Sequence, residues 1–496
     1  MAAGAQRRGT TVTSEAAPKD SLKPDICVVG GGSAGLSVAA LAAALGASVV
    51  LAGTRRPEGA SLHDRSLASG ALAAAARRAE EFRRGGAFGL VSSGELQVDL
   101  ARVRAHVREA VRSAAPLDSM ERFRAMGVRV VAAEARFADR STVMAGEAAV
   151  RARRFVVAAD SRPAVPAVPG LEDVPYLTGE TLLDLETLPE RLVVLGGAVA
   201  GVELAQACRR LGARVTLVET GPRLLAGEDP EMAAVLERAL RAEGIVVRTG
   251  VEVLRAERRQ GDRVALVLRG GEGEETVEGS RLLIAAGRAP DLDGLALDKA
   301  GIEAGPAGIR VDAGLKTTNG RVYAIGEGIA WGGEGSLHAT NHQAGLVVRN
   351  ALFRLPARLG AAPVPRLVLT DPELAAAGAT EEEARERHRD IRILRWPFAE
   401  NDRARAERGT AGHLKAVVTR HGRILGCTIV GPRAGELLAP WLLAMEKDLK
   451  VTDLANVVHP HPTLSEIARS AAVEFLKPSA QNPWIRRLVG FVGRLG

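Results

Sequence analysis

Cysteine is nearly absent from this chain, with only Cys27, Cys208 and Cys427 among 496 residues. They lie far apart, with no Cys-x-x-Cys or Cys/His spacing, so neither a zinc nor an iron–sulfur site has a local signature. Each sits among apolar neighbours and reads as a small buried hydrophobe. No disulfide framework is present, and a reducing cytoplasm is the default compartment. Lysine is scarce too: only eight of the 66 basic residues are Lys, and aromatics make up 3%. The formal charge of +7 comes from Arg scattered among Asp and Glu, with no basic stripe, which argues against a nucleic-acid partner. Composition is otherwise globular, 46% hydrophobic and 25% charged. A chain of this length exceeds one hydrophobic core and predicts about three to four domains.

Residues 26–53 carry no charge, a run long enough to mimic a membrane span. Its interior contradicts that reading. Ile26-Cys27-Val28-Val29 runs into Gly30-Gly31-Gly32-Ser33-Ala34-Gly35, then an Ala/Leu helix to Leu45, Gly46, and a strand over residues 48–52. This is a buried β-α-β unit. Residues 1–24 have no apolar h-region, so they form a loose tail and not a secretory signal.

The pattern returns at residues 191–219, with a strand 192–195, glycines, a helix 202–211, Gly212 and a strand 214–218. In the first unit Gly30-x-Gly32-x-x-Gly35 opens the helix. Such glycines permit a tight turn and close approach of a pyrophosphate to the helix N-terminus. The second copy, Gly196-x-Ala198-x-x-Gly201, places a methyl at the middle position. Glu219 ends its second strand, where a carboxylate accepts hydrogen bonds from an adenosine ribose and repels a 2′-phosphate, favouring NAD(H) over NADP(H). Arg223 is near enough to blur that preference, and a solvated strand-end acid is the alternative role for Glu219.

Between the units, residues 103–112 read as a helix, and 128–132 and 155–159 as strands. Residues 164–170 form a proline-punctuated linker, and a strand 282–286 runs into Gly287-Arg288. From about residue 362, strands 415–419 and 423–430 flank a turn at His421-Gly422, and helices 436–447 and 464–475 follow. The fold class is α/β, with two Rossmann-like folds and a C-terminal α+β domain.

With these folds, Thr370-Asp371-Pro372-Glu373 and His459-Pro460-His461-Pro462-Thr463-Leu464-Ser465-Glu466 resemble the flavoprotein disulfide reductase family over residues 24–475. Asp118-Ser119-Met120-Glu121-Arg122-Phe123 and residues 344–353 (AGLVVRNALF) point to its mercuric reductase-like branch, near dihydrolipoamide dehydrogenase-like members. The resemblance implies a discontinuous FAD domain over 24–164 and 288–355, using Gly30, Gly32, Gly35 and the returning Gly326-Glu327. It implies an NAD domain over 165–287, using Gly196, Gly201, Glu203, Glu219 and Gly287. Residues 362–477 would form a homodimer, lending His461 and Glu466 to the partner's active site.

The departures fall on the flavin side. The family's Cys-x₄-Cys stretch reads Glu58-Gly59-Ala60-Ser61-Leu62-His63-Asp64-Arg65-Ser66, with serine at both cysteine positions. Serine provides no accessible thiolate and forms no disulfide, so a dithiol relay needs a cysteine from elsewhere. The family's nearby lysine is Gly70. Its ribose-binding glutamate is Gly53, followed by Arg55 and Arg56. The turn after the third strand is Ala158-Ala159-Asp160, and the usual Gly-Asp is Gly326-Glu327. Losing the ribose acid alone costs about tenfold in FAD affinity. Without a thiol partner, the His461–Glu466 pair serves another acceptor or holds the dimer interface. His63 and Asp64 are further candidates for proton delivery. A Ser61–His461–Glu466 hydrolase is set aside, because no G-x-S-x-G elbow surrounds either serine.

After Pro478, Trp484, Ile485, Leu488, Val489, Phe491, Val492 and Leu495 share one helical face, opposite Arg486, Arg487 and Arg494. Residues 478–496 therefore read as an amphipathic tail lying on a membrane surface or docked on the dimer. The leading functional expectation is an FAD-dependent NAD(P)H oxidoreductase that passes electrons from flavin directly to a small, quinone-like acceptor. The alternatives are a non-catalytic nucleotide-binding scaffold or sensor, and a mercuric or dihydrolipoamide reductase using a thiol from elsewhere.

Overall fold

A computed structural model describes residues 21–54, 61–91, 94–330, 335–360, 363–480 and 483–493. The expectations for most of the N-terminal tail, for Arg55, Arg56 and residues 58–60, and for Arg494 and Leu495 lie outside these residues.

The strand Ile26–Val29 is buried along its whole length, as a strand covered by helices on both faces must be. It pairs in parallel with Val49–Ala52 on one side and Arg154–Val157 on the other. Arg129–Val131 and Val322–Ala324 complete five parallel strands. The second sheet repeats this arrangement around Arg191–Leu195, flanked by Arg214–Glu219 and Arg281–Ile284, with Val246–Thr249 and Tyr176–Leu177 at its edges. The third is antiparallel, built of Arg366–Val368, Glu373–Gly378, Ile424–Gly431, His413–Thr419 and Ile391–Pro397. The turn at Gly422 has φ +85°, which a residue without a side chain adopts freely. The fold is α/β, with two dinucleotide folds and a C-terminal α+β domain.

Two details differ from the sequence pattern. Residues 436–447 form two helices, Ala434–Leu437 and Ala439–Glu446, because Pro440 starts a new first turn instead of continuing the old helix. The second difference is the helix Leu62–Arg84, 23 residues long, which no sequence signal announced. Its Ala68, Ala71, Leu72 and Ala76 pack in one core with Val202 and Ala205 of the second fold and Leu374 and Ala376 of the third domain. The helix thus leaves the first fold and stitches the other two together.

Charges complete the stitching. Asp229 caps the helix Pro230–Ala242, accepting from the Glu231 and Met232 amides. The same carboxylate receives Lys415 Nζ at 2.8 Å, from a strand of the third domain. Both groups are almost wholly buried, and Lys415 also reaches Glu231 and Glu381 at 2.8 Å. The Arg395 guanidinium, then Lys415, holds the Glu231 carboxyl well below its ordinary range despite partial burial. Burial pushes Glu381 upward, but Lys415 and Arg385 outweigh it and keep that carboxyl low. Groups with depressed folded values stabilise fully above their unfolded value and lose that contribution as pH falls toward the folded one. Lys415→Ala should therefore lower the unfolding free energy by about 3–5 kcal/mol at neutral pH. In urea titrations this deficit should shrink below pH 4.5, the ordinary value of these carboxyls, as they protonate. A constant deficit across the acid range would refute the electrostatic account.

Candidate nucleotide sites

The two β-α turns are built alike. Gly30 and Gly196 have φ of +123° and +120°. A Cβ on Gly30 would stand 2.2 Å from the Ala158 carbonyl, and one on Gly196 would stand 2.3 Å from the Ala285 carbonyl. Gly35 and Gly201 press on the carbonyls of Gly30 and Gly196, with Cβ positions at 2.0 and 1.9 Å. These four glycines are required by backbone packing in both units.

The surroundings of the turns differ. In the second fold the strand Arg281–Ile284 continues through Ala285 and Ala286 to Gly287, beside which a Cβ would meet nothing within 4 Å. A cleft of about 810 Å³ opens there, lined by Gly196, Ala198, Glu219, Ala285 and Gly287. Glu219 accepts hydrogen bonds from the Gly197 and Gly221 amides, each at 2.6 Å. The Thr220 hydroxyl donates to it as well, at 3.4 Å, so of about four acceptor positions on a carboxylate one remains for a ligand hydroxyl. Arg223 is turned away, donating to the carbonyls of Leu225, Ala226 and Glu228 at 2.6–2.9 Å. Its guanidinium is thus engaged within its own loop.

In the first fold the residue matching Gly287 is Asp160. Its Oδ1 and Oδ2 lie 2.5 and 2.8 Å from where a Cβ on Gly32 would stand. A cavity of about 10 Å³ borders Gly31 and Gly32 and is faced by Asp64 and Asp118. The residue matching Glu219 is Gly53, with φ +155°. Glu327 is buried and engaged, with Arg65 Nη2 at 2.6 Å and Arg288 Nε at 3.6 Å. Arg288 extends the chain to Glu180 at 3.0 Å and to the Ser161 hydroxyl at 2.6 Å.

Residues 24–345 match the model of the pyridine nucleotide-disulphide oxidoreductase family, and residues 364–472 match its dimerisation domain. The chain belongs to this family. It is 34% identical to dihydrolipoyl dehydrogenase of Thermus scotoductus, over 90% of this chain and 96% of that one. It is 32% identical to mercuric reductase of Lysinibacillus sphaericus, over 91% and 83% of the two chains. The solved structure of the HOCl-induced flavoprotein disulfide reductase RclA from Escherichia coli, a Cu(II) complex, superposes with a TM-score of 0.78. At 24% identity over 90% of this chain and 98% of that chain, the likeness concerns the fold.

The family uses FAD and pyridine nucleotides. In this member the glycines Gly30, Gly32 and Gly35 would cradle a pyrophosphate, but the residues facing that cradle do not fit one. Like charges about 4 Å apart repel by about 4 kcal/mol at an effective dielectric near 20, and Asp160, Asp64 and Asp118 all approach the turn. Glu327 is held by two arginines, and no acid stands at residue 53. Gly326 is held by its own amide, which donates to Gln343 Oε1 at 2.8 Å.

The positions expected to carry chemistry have local occupations. Ser61 caps the helix Leu62–Arg84, accepting from the Asp64 amide at 3.0 Å. Ser66 Oγ donates to the Leu62 carbonyl at 2.8 Å. His63 Nδ1 lies 2.8 Å from Asp118. Glu203 accepts from Ser69 Oγ at 2.6 Å and from the Leu369 amide at 2.7 Å. Burial pushes its carboxyl upward, and those two bonds only partly offset the shift. It belongs to the seam between the domains and does not line the cleft. Cys27, Cys208 and Cys427 are buried and unpaired, in three different domains. Burial pushes the first two thiols up to about 12 and the third well above its usual range. His461 Nδ1 lies 3.2 Å from both oxygens of Glu466 and is largely exposed.

In the tail, the helix Pro483–Val492 leaves Trp484, Val489, Phe491 and Val492 exposed, and Arg487 stacks over Trp484. Among the described residues no helix is long and apolar enough to cross a membrane.

An N-cap hydroxyl contributes about 1 kcal/mol. Ser61→Ala should lower stability by about that amount in a denaturant titration and leave NADH affinity unchanged. A loss of NADH affinity larger than the loss of stability would contradict the capping role.

Proposed function

We propose that this chain is an NAD(H)-binding homodimer that has left thiol–disulfide exchange, a nucleotide-responsive scaffold or sensor and not a thiol relay. The single observation that carries this reading is the cleft of the second fold, with Glu219 tied to the Gly197 and Gly221 amides at its rim. A ribose hydroxyl donates to the remaining acceptor position of such a carboxylate, whereas a 2′-phosphate is repelled, and the Arg223 guanidinium is engaged by the carbonyls of its own loop. The helix Val199–Leu211 has no side-chain cap and no acid in its first turn, so its N-terminus offers unpaired amides to a pyrophosphate.

Disulfide chemistry requires a thiolate that approaches its substrate. All three thiols are buried and held protonated, which speaks against a mercuric or dihydrolipoamide reductase drawing a thiol from elsewhere in the chain. Direct transfer from a flavin to a quinone-like acceptor requires a flavin where Asp160 crowds the turn. The dimerisation domain supports the two-fold assembly, in which His461 and Glu466 of one subunit would face the other. A cytoplasmic location accords with three unpaired cysteines. The exposed apolar side chains of the tail helix support a surface contact over packing within the subunit.

Calorimetric titration of the full-length protein tests the reading. NADH should bind, and NADPH should bind at least about tenfold more weakly. Glu219→Gln should cost about tenfold in NADH affinity, in line with a charged hydrogen bond of about 1.5–3 kcal/mol. Arg223→Ala should change neither. Light scattering should give a dimer, and lipoamide, glutathione disulfide and mercuric ion should not be reduced. Failure of NADH to bind, or equal affinity for both nucleotides, would remove the proposal.

A further inference from the structure

We propose that the first dinucleotide fold is closed by its own carboxylate: Asp160 takes the place of a pyrophosphate at the N-terminus of the helix Ser33–Ala44, so the chain folds and binds NAD(H) without FAD. The warrant is an internal comparison within one molecule. Ala158-Ala159-Asp160 and Ala285-Ala286-Gly287 follow corresponding strands, and the amides of Ala158 and Ala285 both donate at 2.8 Å to the first strand of their sheet. The amides of Gly30 and Gly196 likewise donate to carbonyls of the second strand, at 2.9 and 2.8 Å. With the scaffolds matched this closely, a difference at one position is a difference in what that position does.

The two turns have exchanged bulk. Where the strand end has no side chain, at Gly287, the turn carries a methyl at Ala198 and the cleft stays open. Where the strand end carries the Asp160 carboxylate, the turn keeps Gly32, because a Cβ there would collide with both Asp160 oxygens. Gly32 is therefore still required in the first fold, but for seating a carboxylate.

Electrostatics favour the same seat. The helix Ser33–Ala44 has no side-chain cap and no acidic residue in its first turn, so its partial positive charge needs an external anion. Asp160 supplies that anion from within the chain. A cavity of about 10 Å³ among the described residues of the turn has room for about one water beside the buried Ser33 hydroxyl. Around it, Arg65, Glu327, Arg288 and Glu180 satisfy one another in a continuous ionic chain. Among the described residues, both arginines of this ionic chain are thus engaged by carboxylates of the protein itself.

The test is stoichiometric and independent of turnover. Full-length protein purified from cells supplied with riboflavin should lack the flavin absorption band and should show no heat on titration with FAD. Asp160→Gly removes the internal anion and should tighten FAD binding by about tenfold or more. Asp160→Asn, which keeps the volume and removes the charge, should give a smaller gain. NADH titration of each variant reports whether the fold is intact, and it separates failure here from failure of the NAD(H) reading. Wild-type protein carrying about one FAD per chain would overturn the closure. So would variants that bind NADH normally but gain no affinity for FAD.

Discussion

A helix that begins immediately after a buried strand exposes several amide protons with no partner in its own backbone. The architecture of this molecule depends on how that deficit is met, twice, in two folds of the same shape. The backbone solution is common to both. A glycine at positive φ lets the third strand's carbonyl come close, and a second glycine lets the helix rest on the turn. Nothing in that arrangement selects a ligand. Selection comes from the residue two places beyond the close-approaching carbonyl, Asp160 in one fold and Gly287 in the other, and from the end of the neighbouring strand, Gly53 in one and Glu219 in the other. The exchange is reciprocal: the fold with the strand-end acid has an open turn, and the fold without it has an occupied turn. Asp160 thus stands beside the first turn and Glu219 beside the second; in the proposed reading, one excludes a phosphate and the other accepts from a ribose.

Ser61 and Ser66 lie beside the same arrangement, at the start of the helix Leu62–Arg84. Arg65, between them, reaches Glu327 on the returning segment, and Arg288 approaches the same carboxylate from the second fold's exit strand. Burial and the nearby Arg65 both work against the charge on Arg288, and Glu327 and Glu180 only partly offset them. A buried pair of this kind is costly to break and contributes little by being formed, so it fixes one arrangement more than it adds stability. The long helix from Leu62 to Arg84 is anchored by that arrangement at its start and by the Ser61 cap. Its alanines then set the distance between the second fold and the third domain.

The sequence made both β-α-β units legible, because strand, glycine turn and helix each leave a local pattern, and Glu219 stands where that pattern ends. It made Asp160 visible as a departure without showing its consequence, since its closeness to Gly32 arises from a strand more than a hundred residues further along the chain. The helix Leu62–Arg84 stayed hidden for a different reason. Its core face is mostly alanine, at residues 68, 71 and 76, and buried alanine looks the same as alanine placed on a surface for helix propensity. The Arg65–Glu327 bond joins residues 262 positions apart and has no periodic signature at all. The Arg223 side chain shows the opposite error. It is close to Glu219 in sequence, yet its guanidinium is consumed by the carbonyls of its own loop.

The histidine–glutamate pair of the third domain invites a catalytic interpretation, and the local geometry limits how much that interpretation must explain. Glu466 is the first residue of the helix Glu466–Glu474, and its carboxylate accepts from the Thr463 amide at 3.0 Å as well as facing His461. The backbone bond from Thr463 is the largest influence holding this carboxyl below its ordinary range, with His461 contributing less. An acid there stabilises the helix start through an amide and the helix dipole whether or not a proton is ever transferred. His461 is oriented by a group the fold requires for its own reasons. The pair therefore has a structural reason to be there whatever chemistry it serves, since the helix it starts packs Ile467, Ala468, Ala471 and Ala472 into the core of the dimerisation domain.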